Sequence, residues 1–254
     1  MYTLKKSLGQ HFLRDENICR KIVEALEQQP FERLLEVGPG GGALTRFLLD
    51  LPGVDFKAVE LDLEKVQYLE ATYPSIRGRL IHQSFLDIEA PFQERFTVAG
   101  NFPYNISTQI LFKILEWEGL VERVVGMFQK EVAQRVAAGS GSKVYGVISV
   151  LIQAFFEVKY LFDVPPGCFN PPPKVMSGVI SLVPRSSFPD MTSRKDFFLL
   201  VKTAFNQRRK TLRNAVKGLF PPETLADPIF QKRAEQLTVE DFAALTFKMN
   251  GRNG

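Results

Sequence analysis

The sequence predicts an α/β fold in which a parallel sheet is followed by a smaller, purely helical domain. Short apolar runs recur from Leu34 to Phe128, and segments with helical spacing separate them, which is the alternation that builds a parallel sheet. After Pro184 the strand-like runs cease, and proline and serine residues mark a linker. We therefore expect an α/β domain at residues 1–184 and a helical domain at residues 185–254.

The first element that we expect is an amphipathic helix at residues 15–28, with Asp15 as its N-cap. The strand candidates after it are apolar runs too short for a helix, and they are residues 34–37, 56–59, 80–82, 97–99 and 124–128. The helices between and after them are expected at residues 43–49, 63–71, 108–116, 131–137 and 144–156. Two last strands, 158–162 and 178–183, flank a proline-rich segment, and we expect them to add an antiparallel hairpin.

Helical patterns continue beyond the linker. Apolar residues at helical spacing begin at Phe197 and again at Leu212. Thr238 and Asp241 have the spacing of a capping box, which predicts the start of one more helix.

The composition is that of a folded globular protein, with 254 residues, 45% of them hydrophobic and 24% charged. The most apolar stretch, residues 147–156, is too short to cross a bilayer. No apolar segment follows Lys5 and Lys6 at the N-terminus, so no secretion signal is predicted. We expect a cytoplasmic protein that does not bind a membrane.

Cysteine and histidine usage argues against a metal site. The chain has two Cys and two His residues, namely Cys19, Cys168, His11 and His82. Their spacing suits neither zinc nor a disulfide. We expect no metal.

The positive charge is concentrated at the C-terminal end. From residue 185 onward there are 13 Lys and Arg against 7 Asp and Glu, a net charge of +6. Residues 1–184 therefore carry −2 of the total of +4. This asymmetry suggests a polyanionic partner such as nucleic acid, with a merely solubilising basic face as the alternative.

A ligand loop follows the first predicted strand. The run from Glu36 to Ala43 contains four glycine residues, which permit tight turns and a close backbone approach to a ligand. The second predicted strand ends at Glu60, where a carboxylate can accept hydrogen bonds from both hydroxyls of a ribose. These features also fit NAD. Glu36 and the following helix N-terminus favour S-adenosylmethionine, which has an amino-acid tail and no pyrophosphate.

The loop that indicates the chemistry is Asn101-Phe102-Pro103-Tyr104, after the fourth predicted strand. An adenine amine is a poor nucleophile, and two hydrogen-bond acceptors facing its hydrogens would favour the tetrahedral form of the nitrogen. We expect these acceptors to be the Asn101 side-chain oxygen and the Pro103 carbonyl. Tyr104 offers an aromatic face for the base. The alternative is an ordinary turn with two core aromatics.

At this point the sequence resembles the ribosomal RNA adenine dimethyltransferases, specifically the type that acts on the small ribosomal subunit. The matching segments span most of the chain, and they are residues 6–13, 36–45, 59–62, 100–108, 169–175 and 205–212. The resemblance implies a class I S-adenosylmethionine-dependent methyltransferase fold, which is Rossmann-like, with a small C-terminal α-helical domain. It also implies that two adjacent adenines in a hairpin near the 3′ end of small-subunit ribosomal RNA are each methylated twice, late in subunit assembly.

The resemblance further assigns roles to individual residues. Gly38 serves the methionine end of the cofactor, Glu60 its ribose and Leu61 its adenine, and Phe169 is a second aromatic that holds the target base opposite Tyr104. The full set of cofactor-binding residues that we expect is His11, Leu13, Gly38, Glu60, Leu61, Ser84, Phe85 and Asn101.

One position departs from the family pattern. The family usually has an acid at the end of the third strand to bond the amine of the cofactor's adenine, and here Ser84 takes its place. A hydroxyl can accept that bond more weakly, and the backbone N–H of Phe85 can still meet the ring. Whether Ser84 or the nearby Asp87 compensates is left open.

The RNA contact is expected in the segment Arg208-Arg209-Lys210 and at Arg213. Helical spacing predicts that Lys210, Arg213 and Lys217 share a face opposite the apolar residues. We expect an immature small ribosomal subunit as the partner and a monomeric enzyme. The alternatives are a large-subunit adenine methyltransferase of the antibiotic-resistance type, a noncatalytic assembly factor on the same fold, and an NAD oxidoreductase.

Overall fold

The computed structural model describes residues 11–250, and the chain divides into two compact units. The first unit is Met1–Ala133 with Val158–Pro184, and the second is Gln134–Glu157 with Arg185–Gly254. Residues 134–157, which the sequence places in the first domain, are thus grouped with the helical unit. The reason is that the helix within this segment lies against helices that follow residue 185.

The first unit is built on a sheet of seven strands with the order β4-β3-β2-β5-β6-β9-β7. Strands β2 to β6 are parallel neighbours, and β9 runs antiparallel to β6. A separate pair, β1 and β8, is antiparallel. The strands are β1 Phe12–Leu13, β2 Arg33–Val37, β3 Asp55–Glu60, β4 Leu80–His82, β5 Phe96–Asn101, β6 Val121–Gln129, β7 Phe156–Val164, β8 Phe169–Asn170 and β9 Ser177–Pro184.

The described part of the chain contains nine α-helices and several short 3₁₀ turns. They are α1 Glu16–Glu27, α2 Thr45–Leu48, α3 Leu63–Thr72, α4 Ser107–Glu116, α5 Lys130–Val136, α6 Val147–Gln153, α7 Arg194–Asn206, α8 Leu212–Val216 and α9 Val239–Thr246. Asp15 caps α1 by accepting hydrogen bonds from two backbone N–H groups, and Thr238 and Asp241 form the capping box of α9. These caps confirm two sequence predictions.

The predicted α/β fold is confirmed, and two helix predictions were too long. α6 begins at Val147 and ends at Gln153, because Gly146 has an extended backbone and Phe156 already belongs to β7. A continuous apolar run does not distinguish a buried helix from the strand that follows it. Likewise α2 covers only Thr45–Leu48.

The central strands of the sheet place the functional loops. The side chains of β2 and β5 are almost fully buried, as expected for a parallel sheet covered on both faces. Arg123 in β6 is also buried, and its guanidinium donates to the Leu26 carbonyl at 2.6 Å, which ties α1 to the sheet. Because β2 to β6 are parallel, their carboxyl ends meet at one edge, where ligands of such folds bind.

Candidate active site

A cavity of about 690 Å³ opens at the carboxyl edge of the parallel strands in the first unit. The glycine loop after β2 forms one wall. Gly38 and Gly40 have φ angles of +68° and +55°, a conformation that side chains with a Cβ rarely adopt. A Cβ on Gly40 would also lie 2.8 Å from the Phe12 ring. The loop therefore needs glycine to form this wall.

Glu60, at the end of β3, is oriented by backbone donors. One carboxylate oxygen accepts from the Gly40 N–H at 3.1 Å and the other from the Asp62 N–H at 2.9 Å. Burial raises the pKa of the carboxyl, and these hydrogen bonds oppose the rise. Each oxygen retains a second lone pair, so the carboxylate can also accept from ligand hydroxyls.

Glu36, at the end of β2, is a buried acid that lines the cavity. Its side chain is 1% exposed, and Oε2 has no hydrogen-bond partner among residues 11–250. Burial raises the pKa of this carboxyl to about 8. A buried carboxyl with one unpartnered oxygen in a cavity wall fits a cationic ligand group.

The predicted adenine-binding residues lie beside each other on another wall. Leu61 exposes 54% of its surface, and Ser84 and Phe85 also line the cavity. The Ser84 hydroxyl already accepts from the Leu86 N–H at 3.2 Å. Asp87 is not part of the cavity lining, which leaves Ser84 as the better placed of the two.

His11 and Leu13 reach the cavity through the small β1–β8 sheet, in which Leu13 pairs with Phe169. The His11 ring is hydrogen bonded through Nδ1 to the Pro171 carbonyl at 2.9 Å. Residues 6–10 of the same motif lie outside the described residues.

Asn101, the last residue of β5, projects into the cavity with a fixed amide orientation. Its Nδ2 donates to the His11 carbonyl at 2.9 Å. The amide nitrogen is thus occupied, and Oδ1 remains as the hydrogen-bond acceptor for a ligand. This is the polarity that an amine-binding site requires.

The Pro103 carbonyl, the second acceptor that we expect, already has hydrogen-bond partners within the protein. The oxygen already accepts from the Ile106 N–H at 3.3 Å and from the Ser107 hydroxyl at 3.2 Å. Ser107 Oγ lies equally close, 3.1 Å, to the Tyr104 carbonyl. Because one hydroxyl hydrogen serves one acceptor at a time, Ser107 can transfer its bond to Tyr104 and leave Pro103 available.

Tyr104 is held from two sides. Its hydroxyl is hydrogen bonded to Oγ of Ser177, a fully buried residue at the start of β9. Its ring lies 5.6 Å from the His11 ring, centroid to centroid. Burial raises the pKa of the Tyr104 phenol, so the hydroxyl stays protonated at neutral pH and the residue offers an aromatic face.

Phe169 does not take the predicted place opposite Tyr104. Its ring is 1% exposed, belongs to the apolar core and does not line the cavity. The cause is the pairing of β8 with β1, which turns Asn170 toward the cavity instead. We assign Phe169 no direct contact with a base.

Phe102 anchors the Asn101–Tyr104 loop from behind. Its ring is buried against Phe128, with centroids 4.9 Å apart. Gly126 in β6 makes room for it, because a Cβ there would lie 2.2 Å from the ring. The position of Asn101 thus depends on a glycine in the neighbouring strand.

Several cavity residues were missed by the sequence reasoning. They are Phe12, Arg14, Tyr68, Gln83 and Asn170, with Ser177 behind Tyr104. Phe12 and Arg14 fall within or next to a matching motif and could have been found there. Tyr68 and Ser177 carry no local signal, because only the folded chain brings them to the site.

The predicted RNA-binding residues lie in the second unit. The prediction that Lys210 shares a helical face with Arg213 was wrong. α8 begins at Leu212, so Lys210 lies before the helix. It belongs to a turn in which its N–H donates to the Gln207 carbonyl at 2.8 Å. Arg209, Lys210 and Arg213 are exposed.

Arg208 differs from its neighbours because it is engaged within the protein. Its Nε donates to Glu235 at 2.9 Å, and the guanidinium also donates to the Lys143 carbonyl. Its pairing supports the turn that presents Arg209 and Lys210.

Within residues 11–250, no group of three or more His, Cys, Asp or Glu side chains is arranged to hold a metal ion. Over the same residues, no helix is both long and apolar enough to span a bilayer.

Solved structures resemble this chain over most of its length. A dimethyladenosine transferase from Plasmodium falciparum superimposes with a TM-score of 0.75 at 26% identity, covering 91% of this chain and 94% of that one. The 23S rRNA methyltransferase ErmE gives a TM-score of 0.70 at 24% identity, covering 92% and 99%. At that identity the second likeness shows the fold alone, a Rossmann-like methyltransferase fold.

Sequence relatives are closer. The Ribosomal RNA small subunit methyltransferase A of Cytophaga hutchinsonii is 48% identical over 252 residues, 98% of each chain. The protein of the same name from Flavobacterium johnsoniae is 47% identical over 96% of this chain and 95% of its own. The family model for ribosomal RNA adenine dimethylases matches residues 1–249. The chain belongs to the ribosomal RNA adenine dimethylase family.

Proposed function

We propose that this enzyme transfers methyl groups from S-adenosylmethionine to N6 of two adjacent adenines near the 3′ end of small-subunit ribosomal RNA. The observation that carries the proposal is the amide of Asn101 in the cavity lining, whose nitrogen donates to the His11 carbonyl and whose oxygen is thereby left as an acceptor. The names of the relatives support the small subunit as the substrate.

The cavity residues fit S-adenosylmethionine. The unpartnered Oε2 of Glu36 suits an ammonium group, the Glu60 carboxylate suits ribose hydroxyls, and the exposed Leu61 side chain suits the face of an adenine ring. When bound, the cofactor supplies an electrophilic methyl group on a sulfonium. The protein then has to align the acceptor and exclude water.

Asn101 and Pro103 prepare the acceptor nitrogen. The amine hydrogens of the adenine donate to Asn101 Oδ1 and to the Pro103 carbonyl, which Ser107 releases. These bonds favour the tetrahedral nitrogen whose lone pair attacks, and they stabilise the positive charge that forms on it. The carbon–sulfur bond of the sulfonium would break as the nitrogen–carbon bond forms, and the proton would then pass from the nitrogen to solvent water. No strong base is therefore needed beforehand.

Tyr104 holds the base once it has left its stack. Extruding a nucleotide costs roughly a few kcal/mol, and stacking on an aromatic side chain returns about 1–3 kcal/mol. The Ser177 hydroxyl sets the angle of the ring. After the first transfer one amine hydrogen is gone, and a single acceptor then suffices to orient the remaining hydrogen for the second.

We further propose that the helical residues 185–254 bind the RNA through Arg209, Lys210 and Arg213, while Arg208 holds their segment in place. The positive charge of this region matches a phosphate backbone. The active protein is a cytoplasmic monomer that requires no metal.

The test uses purified enzyme, labelled S-adenosylmethionine and ribosomal subunits from cells that lack the modification. We expect N6,N6-dimethyladenosine in small subunits and no label in large subunits, as read by nucleoside mass spectrometry. Addition of EDTA leaves the yield unchanged. Label in large-subunit RNA alone would indicate the antibiotic-resistance type of enzyme, and no label in either would indicate a noncatalytic factor.

A further inference from the structure

Arg14 brings to the cavity a positive charge that the proposed function does not use. Among the cavity-lining residues of the described part of the chain, it is the one Arg or Lys. Its side chain is exposed, and its guanidinium forms no ion pair with the acids of residues 11–250. Residues 1–10 contain no Asp or Glu. The N–H donors of this guanidinium can therefore bind an anionic group of a ligand.

The backbone directs Arg14 to the side of β1 that carries Phe12. The Arg14 N–H donates to the Cys168 carbonyl at 2.9 Å, which continues the antiparallel β1–β8 pairing by one residue. Side chains alternate along a paired strand, and Leu13 is turned into the core. Phe12 and Arg14 thus share the other side, on which the Phe12 ring lies against the ligand loop at Gly40.

The acids that follow Arg14 along the chain have other partners. Asp15 accepts hydrogen bonds from two backbone N–H groups at the start of α1. One oxygen of Glu16 pairs with Arg46 at 2.7 Å, and the other lies 3.8 Å from Arg20. The local structure therefore stabilises both carboxylates without using Arg14.

Three backbone donors of the ligand loop after β2 are already bonded within the protein. They are the N–H groups of three glycines, and the bonds are Gly38 to the Val59 carbonyl, Gly40 to the Glu60 carboxylate and Gly42 to the Pro39 carbonyl. The helix that follows, α2, has only four residues, so its dipole is that of about one turn. An anionic group at this loop therefore gains from a donor on a side chain.

The amino-acid tail of S-adenosylmethionine carries both an ammonium and a carboxylate group. The buried Glu36 carboxyl in the cavity wall suits the ammonium group. The carboxylate needs a positive partner, and a planar guanidinium matches it with two parallel N–H donors. Glu36 and Arg14 together complement the two charges of the tail.

We propose that Arg14 binds the carboxylate of the methionine end of S-adenosylmethionine. A phosphate of the RNA is the other anion that a guanidinium could bind. The cofactor is favoured because Arg14 shares a side of β1 with the Phe12 ring, which lies against the glycine loop. This inference rests on the proposed function, since it takes S-adenosylmethionine to be the methyl donor.

The test compares two ligands, S-adenosylmethionine and its decarboxylated form, which keeps the ammonium, the sulfonium and the adenosine but lacks the carboxylate. Isothermal titration calorimetry gives the Kd of each ligand for wild type and for Arg14→Gln. We expect Arg14→Gln to bind S-adenosylmethionine about tenfold more weakly and the decarboxylated ligand with unchanged affinity. The ratio of the two Kd values therefore changes about tenfold between wild type and the variant.

Matched variants separate a direct contact from general effects of charge and folding. Arg14→Lys keeps the charge but loses the paired donors, so it should bind S-adenosylmethionine with an affinity between those of wild type and Arg14→Gln. Arg77→Gln removes an exposed cation that does not line the cavity, and it should bind both ligands like wild type. Thermal midpoints of the three unliganded variants should stay near that of wild type.

Two results would overturn the inference. The first is an equal loss of affinity for both ligands in Arg14→Gln, which would mean that the side chain shapes the site without contacting the carboxylate. The second is unchanged binding of S-adenosylmethionine, and weaker binding of unmodified small subunits by the same variant would then assign Arg14 to an RNA phosphate. Wild type that binds neither ligand would reject the proposed function itself, whereas wild-type binding with either of these two results would reject only the role of Arg14.

Discussion

Binding of S-adenosylmethionine should release a proton from Glu36. In the free protein burial raises the pKa of this carboxyl to about 8, so it is protonated at neutral pH. The ammonium group of the ligand, placed beside the unpartnered Oε2, favours the carboxylate. The proton that Glu36 carries then leaves when the complex forms.

The size of the release follows from the pKa. With a pKa of about 8 in the free protein and a fully ionised carboxylate in the complex, about 0.9 proton is released at pH 7 and about 0.5 at pH 8. The pH dependence of the free energy of unfolding has the opposite sign to that produced by an ordinary paired acid. Because the carboxyl ionises near 4.5 when unfolded, the free protein loses stability as the pH rises from about 4.5 to 8, and the bound ligand recovers part of that loss.

The assay is isothermal titration calorimetry in pairs of buffers with different ionisation enthalpies, at pH 7 and pH 8. Glu36→Gln has no proton to release, and the difference between wild type and this variant removes the contribution of the ligand's own amine. Glu32→Gln is the control, because the Glu32 side chain is 81% exposed. Equal proton release in wild type and Glu36→Gln at pH 7 would refute the reasoning.

Three further predictions concern the loop Asn101–Tyr104, for which we propose a catalytic role. Asn101→Ala should retain S-adenosylmethionine binding while slowing methyl transfer by about 10² to 10³, as single-turnover kinetics would measure; equal loss of binding and transfer would contradict its role. Ser177→Ala frees the phenol of Tyr104 and should lower kcat about tenfold while the cofactor affinity stays unchanged. Ser177→Thr should restore the rate. A loss of thermal stability without a loss of rate would indicate that Ser177 serves packing only. Gly126→Ala forces a Cβ into the Phe102 ring and should lower the free energy of unfolding by about 1–3 kcal/mol, as urea titrations would measure. The control is Gly119→Ala, whose Cβ meets no atom within 4 Å and which should be neutral. Similar urea midpoints for the two variants would contradict the packing argument.

The parallel sheet and its ligand loops could be predicted because they are encoded locally. Buried strands are continuous apolar runs, and the glycine loop and Glu60 follow two of them at the edge where ligands bind. Asn101 was found for the same reason. The sequence thus predicted which residues reach the cavity from consecutive strands.

What could not be predicted depends on contacts between distant segments. The β1–β8 pair joins two strands of two residues each, too short to leave a periodic pattern, and it buries Phe169. The bond between Ser177 and Tyr104 links residues 73 positions apart. The prediction of a helical face that includes Lys210 was wrong because a turn closes at that residue and α8 starts after it.

The most direct test of the central claim is the methylation state of the 3′ hairpin itself. Unmodified small subunits are incubated with enzyme and S-adenosylmethionine, the ribosomal RNA is cut with a nuclease, and the hairpin fragment is analysed by mass spectrometry. We predict that four methyl groups appear on this fragment, two on each of two adjacent adenines, and that Asn101→Ala leaves it largely unmodified over the time in which wild type completes the reaction. Methyl groups on another fragment, on another base, or at undiminished level with Asn101→Ala would contradict the claim.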